Sequence, residues 1–167
     1  WEAYHATKEL SNTPGVGYLR IEKGGITTPP SPKSKFKIGK SLKYKSGKDI
    51  CFISCGRILE ECIEASKILE KNDISSEVIS LHTIKPIDKI MVKNILKKYK
   101  YIFTVEEHNL SGGLGSAIAE ASIDQGSFKT KITRIALNDI YSSIVGSQDY
   151  LRSSYGLNSK AISKKVI

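Results

Sequence analysis

The sequence predicts an α/β fold: a three-layer, mostly parallel sheet with one antiparallel edge strand. The first observation behind this prediction is that β-rich runs alternate with amphipathic stretches of 10 to 15 residues between positions 36 and 137, a rhythm typical of βαβ units. The second is the run DICFISC at 49–55, which is apolar without alternation, as in a strand buried on both faces. Right-handed crossovers then place helices on both faces of the sheet.

The first 35 residues differ in character from the rest of the chain. Residues 2–10 predict a short helix, and residues 16–22, with GYLRI at their centre, predict a strand. Residues 23–35 contain three prolines and two glycines, a composition that no helix tolerates, and they predict a linker. We therefore expect residues 1–35 to be the end of a preceding domain plus a linker, and residues 36–167 to form one domain.

Within that domain the elements follow from apolar spacing and from turn residues. The helix predicted over 57–71 carries an apolar stripe and ends at Asn72-Asp73. Asp88 is the predicted N-cap of the next helix, whose inner face carries Met91, Val92, Ile95 and Leu96. The other predicted elements are strands at 36–45, 49–55, 76–81, 101–105 and 131–137, and helices at 114–124, 149–154 and 159–165.

Composition argues against two classes of partner. The net charge is +9, but only 4 of the 26 basic residues are Arg, and no aromatic stacking pattern accompanies them, so nucleic-acid binding is not expected. The lysines predict a solvated surface, with an acidic partner subunit as the alternative. No apolar run approaches the roughly 20 residues of a membrane helix, and WEAYHATKEL does not resemble a signal peptide. The expected location is the cytoplasm.

The three cysteines predict neither a disulfide nor a metal site. Cys51 and Cys55 lie about 13 Å apart if they share one strand, which is too far for a disulfide. The spacing C-x3-C-x6-C, completed by Cys62 and lacking a nearby His pair, is a poor zinc pattern. We expect buried thiols in a reducing compartment.

The stretch TVEEHNLSGGLGSAIAE at 104–120 runs from a strand through an acidic corner and a glycine turn into a helix. This order places polar groups at the carboxyl end of a strand, where ligands usually bind in open α/β sheets. Gly112, Gly113 and Gly115 allow close backbone approach, and the amides that follow favour an anion. However, GGLGS lacks the spacing of a P-loop and falls short of G-x-G-x-x-G, so a plain tight turn is favoured over a phosphate loop.

Three blocks carry a resemblance to a known family. They are GYLRI at 17–21, SLHTIKPID at 80–88, and EEHN followed by GGLGS within 106–116. Together they resemble the C-terminal domain of the transketolase superfamily, which includes transketolases, 1-deoxyxylulose-5-phosphate synthases and the beta subunits of 2-oxo-acid dehydrogenases. The sequence is most similar to split transketolases, in which the C-terminal half is a separate polypeptide. The synthases usually carry Arg in place of His82 and lack the His at position 108.

The resemblance implies an enzyme that uses thiamine diphosphate and Mg to transfer a two-carbon ketol unit between sugar phosphates. In the family the cofactor lies between a pyrophosphate-binding and a pyrimidine-binding domain, usually from two subunits of a dimer. This sequence contains neither the G-D-G motif nor the glutamate that activates the aminopyrimidine. The resemblance therefore implies no catalytic residue and no bound cofactor in this chain alone. It also implies partner subunits that supply the missing domains, in a homodimer or heterotetramer that is active only when complete.

The resemblance also points to substrate-side residues. Lys23 matches the family's phosphate-binding Arg, Arg20 lies three residues earlier, and His82 occupies the position of the synthases' phosphate-binding Arg. Each has a structural alternative: Arg20 pairs with a carboxylate or extends its stem over apolar surface, and His82 is a connector bonded to backbone.

We expect Glu106, Glu107 and His108 to orient the turn at Gly112, Gly113 and Gly115 or to face a neighbouring subunit, with an interface role favoured over acid–base chemistry. Two functions of other classes stay open. One is a free-standing anion- or nucleotide-binding module that uses residues 112–116, and the other is an assembly scaffold with a vestigial cleft.

Overall fold

The computed structural model describes residues 1–22, 34–126 and 129–167. A five-stranded sheet with strand order β1-β3-β2-β4-β5 forms the centre of the molecule. β1 runs antiparallel to β3, and every other neighbouring pair is parallel. The predicted mixed sheet with one antiparallel edge strand is thus confirmed. The strands are β1 (Leu42–Lys45), β2 (Ile50–Ser54), β3 (Ser76–Ser80), β4 (Tyr101–Asn109) and β5 (Lys131–Leu137).

Helices cover both faces of the sheet, which gives the three predicted layers. One face packs Phe52 and Val78 against Cys62 and Ile162, in the helices α2 and α6. The opposite face packs against α3 and α4, whose apolar sides bury their residues on the sheet. The helices are α1 (Glu2–Ser11), α2 (Leu59–Glu70), α3 (Lys89–Lys98), α4 (Leu114–Ile123), α5 (Gln148–Ser154) and α6 (Ser159–Lys164).

Helix starts follow the predicted capping chemistry. The side chain of Asp88 accepts a hydrogen bond from the Met91 amide, 3.1 Å away, and so caps α3 as its sequence predicts. Asp73 adopts φ of +60° just beyond α2, where Asn72-Asp73 predicts the helix end. An aspartate tolerates this left-handed conformation better than most residues, and the chain can turn there into β3.

Two predicted strands are wrong in whole or in part. Residues 16–22 form no strand, because no neighbouring segment among the described residues pairs with their backbone, and Val16 and Tyr18 are fully exposed. The strand predicted over 36–45 shrinks to β1. Its first half turns at Gly39, where φ is +77°, and the Lys40 amide bonds to the Lys37 carbonyl. The predicted linker lies almost entirely outside the described residues.

β4 is longer than its sequence predicts. The acidic pair Glu106 and Glu107 lies within this strand, not in a corner after Val105. The reason is that β5 continues to offer a ladder partner: Asn109 is opposite Leu137, after an irregularity in register. The strand extension carries both carboxylates to the carboxyl rim of the sheet.

The thiols are free, as predicted. Cys51 and Cys62 are fully buried on opposite faces of the sheet, and burial raises the pKa of Cys62 to about 12. Cys55 is partly exposed, yet burial of its thiol also raises its pKa to about 12. Both groups are therefore protonated and unreactive at neutral pH. Across the described part of the chain, no helix combines the length and the apolar character that a membrane crossing requires.

Candidate functional site at the carboxyl rim

The topology marks one place where a ligand is expected. The chain leaves β2 toward β3 and leaves β4 toward β5, which lie in opposite directions in the sheet. A topological switch point therefore lies between the carboxyl ends of β2 and β4, the usual position of a crevice in open α/β sheets. In this molecule the crevice is filled by the chain's own charged side chains.

Glu107 and Arg152 form the central ion pair among these side chains. Two hydrogen bonds of 2.7 Å join the Arg152 Nε and Nη2 atoms to the two Glu107 carboxylate oxygens, a bidentate arrangement. Arg152 also lies 3.7 Å from Glu61 on α2, and its side chain is 2% exposed. Gln148 donates to both Glu107 oxygens, at 3.2 and 3.1 Å. These contacts fix α5 over the carboxyl end of β4.

Glu106 occupies the start of α4. Its carboxylate oxygens accept hydrogen bonds from the backbone amides of Leu114 at 2.6 Å and Gly115 at 2.8 Å. A Cβ atom on Gly113 would lie 1.9 Å from a Glu106 oxygen, so position 113 must be glycine for the carboxylate to reach the amides. Gly112 adopts φ of +78°, which favours glycine as well. The two amides that a phosphate loop would offer are already bound to this chain's own carboxylate.

His108 lies beside the same turn, since a Cβ atom on Gly113 would be 2.9 Å from its Nδ1 atom. Its side chain is exposed, and Nδ1 lies 2.9 Å from the Asn109 carbonyl oxygen. Asn109 in turn donates to Asp139 on the segment after β5. The structure therefore gives the three residues of the EEH motif three different environments.

A cavity of about 210 Å³ lies beside the switch point. We call it the rim cavity. It is lined by α1, by residues 19–22, by Tyr44 of β1, by the chain just after β2 and β3, and by the start of α2. Arg20 and His82, two of the predicted substrate-phosphate residues, both line it, and the third, Lys23, lies outside the described residues. Other residues that line the cavity are Trp1, Glu2, Glu22, Phe36, Arg57 and Glu60.

His82 is a neutral ring in this setting. It stacks on Phe36 with ring centroids 4.0 Å apart, and its Nδ1 atom lies 2.8 Å from the Thr83 hydroxyl. Burial lowers the pKa of His82 to about 4, although the Asp88 charge opposes this shift. At neutral pH the His82 ring therefore carries no positive charge.

We expect the His82 ring to titrate near pH 4 in the folded protein. Because folding lowers the pKa from 6.5, the neutral ring contributes stability that is fully present above pH 6.5 and is lost as the pH falls toward 4. Histidine ring resonances followed by NMR between pH 8 and pH 4 measure this directly, with His82→Phe used to assign the signal. A His82 midpoint near 6.5 would contradict the buried, neutral ring.

Several residues of the carboxyl rim could not be recognised from the sequence as part of the site. Arg57 lies three residues after the end of β2, in a connection where polar residues commonly serve a site. Its Nη1 donates to Gln148, and its backbone amide donates to Glu22, 3.3 Å away. Gln148 and Arg152 belong to α5, and nothing in the local sequence of that helix indicates their distant partners.

The described residues do not fit a thiamine diphosphate and Mg site. Within residues 1–22, 34–126 and 129–167 no three His, Cys, Asp or Glu side chains are grouped so that they could hold a metal ion. The backbone donors at the start of α4, which suit a diphosphate, are bound by Glu106.

The sequence profile of "Transketolase, C-terminal domain" matches residues 39–162. The chain belongs to this family. The predicted resemblance is thereby confirmed, while the boundary placed after residue 35 stays a prediction.

Relatives of known name are similar over nearly the whole chain. A "Putative transketolase C-terminal section" of Methanocaldococcus jannaschii is 34% identical over 98% of this chain and 52% of its own length. A "1-deoxy-D-xylulose-5-phosphate synthase" of Dictyoglomus turgidum is 33% identical over 93% of this chain and 25% of its own length. The chain thus spans about half of the first relative and a quarter of the second.

The fold is also found in a solved structure described as "Split gene transketolase, inactive beta4 tetramer". That chain superposes with a TM-score of 0.88 and 27% identity, over 97% of this chain and 52% of its own length. A transketolase of Pichia stipitis, 17% identical with a TM-score of 0.58, shares the fold over 76% of this chain. Members of the transketolase C-terminal domain family therefore occur both as parts of long chains and in split enzymes.

Proposed function

We propose that this chain is the C-terminal section of a thiamine-diphosphate-dependent transferase that moves a two-carbon ketol unit between sugar phosphates. The observation that carries the proposal is the 34% identity with the transketolase C-terminal section of M. jannaschii, which extends over 98% of this chain. Activity requires the pyrophosphate- and pyrimidine-binding domains, which are not among these 167 residues. The assembly is a homodimer or a heterotetramer, and the cytoplasm is its proposed location.

In this proposal the missing domains bind thiamine diphosphate and Mg, and the cofactor supplies the carbon that carries the ketol unit. This chain contributes the rim beside the cofactor-binding domains. Arg20 and Lys23 supply positive charge toward the substrate phosphate, and the neutral His82 supplies a hydrogen bond. Glu106 and Glu107 hold the glycine turn and α5 in place through the contacts that they make within this chain.

A second candidate is the C-terminal domain of a 1-deoxy-D-xylulose-5-phosphate synthase. Several relatives that bear this name are 31 to 35% identical to the chain, which favours the candidate. The histidine at position 82, where the synthases usually carry arginine, favours the transketolase reaction instead. The two reactions share a cofactor and differ in product, so a single reconstituted complex distinguishes them.

The test is reconstitution. The chain is mixed with a polypeptide from the same genome that carries the two missing domains, and the mixture is supplied with thiamine diphosphate and Mg. A ketose phosphate donor with an aldose phosphate acceptor measures ketol transfer, and a separate assay follows formation of 1-deoxyxylulose 5-phosphate. Each polypeptide alone is the control and is expected to be inactive. If the two polypeptides neither associate nor turn over either substrate set, the proposal is refuted.

A further inference from the structure

Exposed lysines lie together at the amino edge of the sheet, where the parallel strands begin. Lys48 comes two residues before β2, Lys100 directly precedes β4, and Lys131 is the first residue of β5. These strands start level with one another, since Ile50 is opposite Tyr101 and Tyr101 is opposite Lys131. The ends of α2 and α3 and the segment before β5 bring three more exposed lysines to this edge, namely Lys71, Lys97 and Lys129. We call these six residues the lysine edge.

The acidic residues near the lysine edge do not offset its charge. They are Asp49, Glu70, Asp73 and Glu77. Glu77 is buried and lies 3.3 Å from the amine of Lys43 and 2.7 Å from that of Lys98. Glu70 lies 2.8 Å from the amine of Lys45. Within the described part of the chain the lysine edge makes no ion pair, so only Asp49 and Asp73 remain to offset its positive charges.

The carboxyl rim, at the other end of the strands, has a different balance of charge. There the basic residues Arg57 and Arg152 form ion pairs with Glu60 and Glu107. The two edges are separated by the length of the strands, about 16 Å for a strand of five residues. A surface whose charges serve only solubility mixes both signs, whereas a concentration of one sign attracts an oppositely charged partner. The unpaired lysines therefore mark the amino edge as an electrostatic docking surface.

The side chains of the lysine edge favour carboxylates over nucleic acid. The edge has no arginine, whose planar fork suits phosphate, and its ammonium groups act as point charges. Tyr101 is the exposed aromatic side chain beside it, and the Lys100 amine lies 5.3 Å from the centre of this ring. That face of the ring is therefore not free to stack on a base. Lys48, Lys100 and Lys131 belong to adjacent strands about 4.8 Å apart, so they form a row that an extended acidic chain can follow.

We propose that the lysine edge binds an extended acidic segment of a partner protein, a run of glutamate or aspartate side chains that pair with its lysines. The surface lies at the edge of the sheet opposite the carboxyl rim, so a bound segment leaves the rim free. The proposal therefore does not depend on the ketol-transfer function. Because the contacts are between exposed charges, binding weakens as the ionic strength rises.

The test uses a fluorescein-labelled oligoglutamate peptide, whose binding to the whole chain is followed by fluorescence anisotropy at physiological ionic strength. The edge variant reverses the charge of three lysines of the edge, by Lys97→Glu, Lys100→Glu and Lys131→Glu. The matched control reverses three exposed lysines elsewhere that also make no ion pair among the described residues, by Lys8→Glu, Lys37→Glu and Lys85→Glu. Both variants change the net charge equally. We expect saturable binding to the parent, at least tenfold weaker binding to the edge variant, and less than threefold weaker binding to the control.

Circular dichroism checks that each variant folds, and glutamine replaces glutamate at the same three positions if one does not. Absence of saturable binding to the parent overturns the proposal. Equal weakening in the edge variant and the control also overturns it, because net charge and not the lysine edge would then hold the peptide. A single-stranded RNA of matched charge that binds the parent more tightly than the peptide and loses its binding in the edge variant would make the edge a nucleic-acid surface instead. Failure of the reconstituted complex to transfer ketol units leaves these results unchanged, so the two proposals fail independently.

Discussion

Replacing Arg152 with methionine is expected to lower the free energy of unfolding by about 3 to 5 kcal/mol. The side chain of Arg152 is 2% exposed and makes two 2.7 Å hydrogen bonds with Glu107, so the substitution leaves a largely buried carboxylate without its counter-charge. Glu61 loses an ion pair at the same time. Urea denaturation followed by circular dichroism measures the loss, and α5 should detach from the rim before the sheet unfolds.

Two controls separate the buried charge from simple loss of packing. The double variant Arg152→Met with Glu107→Leu removes both charges, and it should be more stable than Arg152→Met alone. Lys67→Met breaks an ion pair with Glu64 in which both side chains are more than half exposed, and it should cost less than about 1 kcal/mol. If the double variant is no more stable than Arg152→Met, charge burial is not the reason for the loss.

The layered fold could be predicted because its signals are local. β2 is a run of four apolar residues followed by Ser54, all five buried, and α3 begins after an aspartate that caps it. Such patterns can be recognised from a few neighbouring residues. Residues 16–22 have an equally strand-like pattern but form no strand. A strand requires a hydrogen-bonding neighbour, and sequence periodicity does not reveal whether one is present.

The contacts at the carboxyl rim also differ in how far the sequence could predict them. Glu106 lies eight and nine residues before the two amides that donate to it, and one of the two roles predicted for it was to orient the glycine turn. Glu107 and Arg152 are 45 residues apart, and Arg57 and Gln148 are 91 apart. These pairs exist because α5 folds back over the carboxyl end of β4. The rim cavity could not be predicted either, because α1 and the chain after β3, which both line it, are far apart in the sequence.

Replacing Glu106 with alanine is expected to cost about 2 to 6 kcal/mol, counting about 1 to 3 for each buried amide that loses its acceptor. The amides of Leu114 and Gly115 both donate to this carboxylate, and both residues are buried. Urea denaturation gives the free energy, and hydrogen exchange at these two amides should accelerate more than elsewhere in α4. Glu120→Ala, at an exposed position of the same helix, is the control and should lie within about 0.5 kcal/mol of the parent.

Acetate provides a sharper test of what Glu106 does. The substitution Glu106→Ala removes a carbon and a carboxylate group, which together have the heavy atoms of an acetate ion. The space that they leave lies at the start of α4, where two free amides and the helix dipole favour an anion. Added sodium acetate should therefore raise the melting temperature of Glu106→Ala more than that of the parent, whereas sodium chloride at equal ionic strength should not. Equal shifts in both proteins would mean that the amides find other acceptors. A selective shift would show that this helix start binds anions and that its own strand supplies the anion.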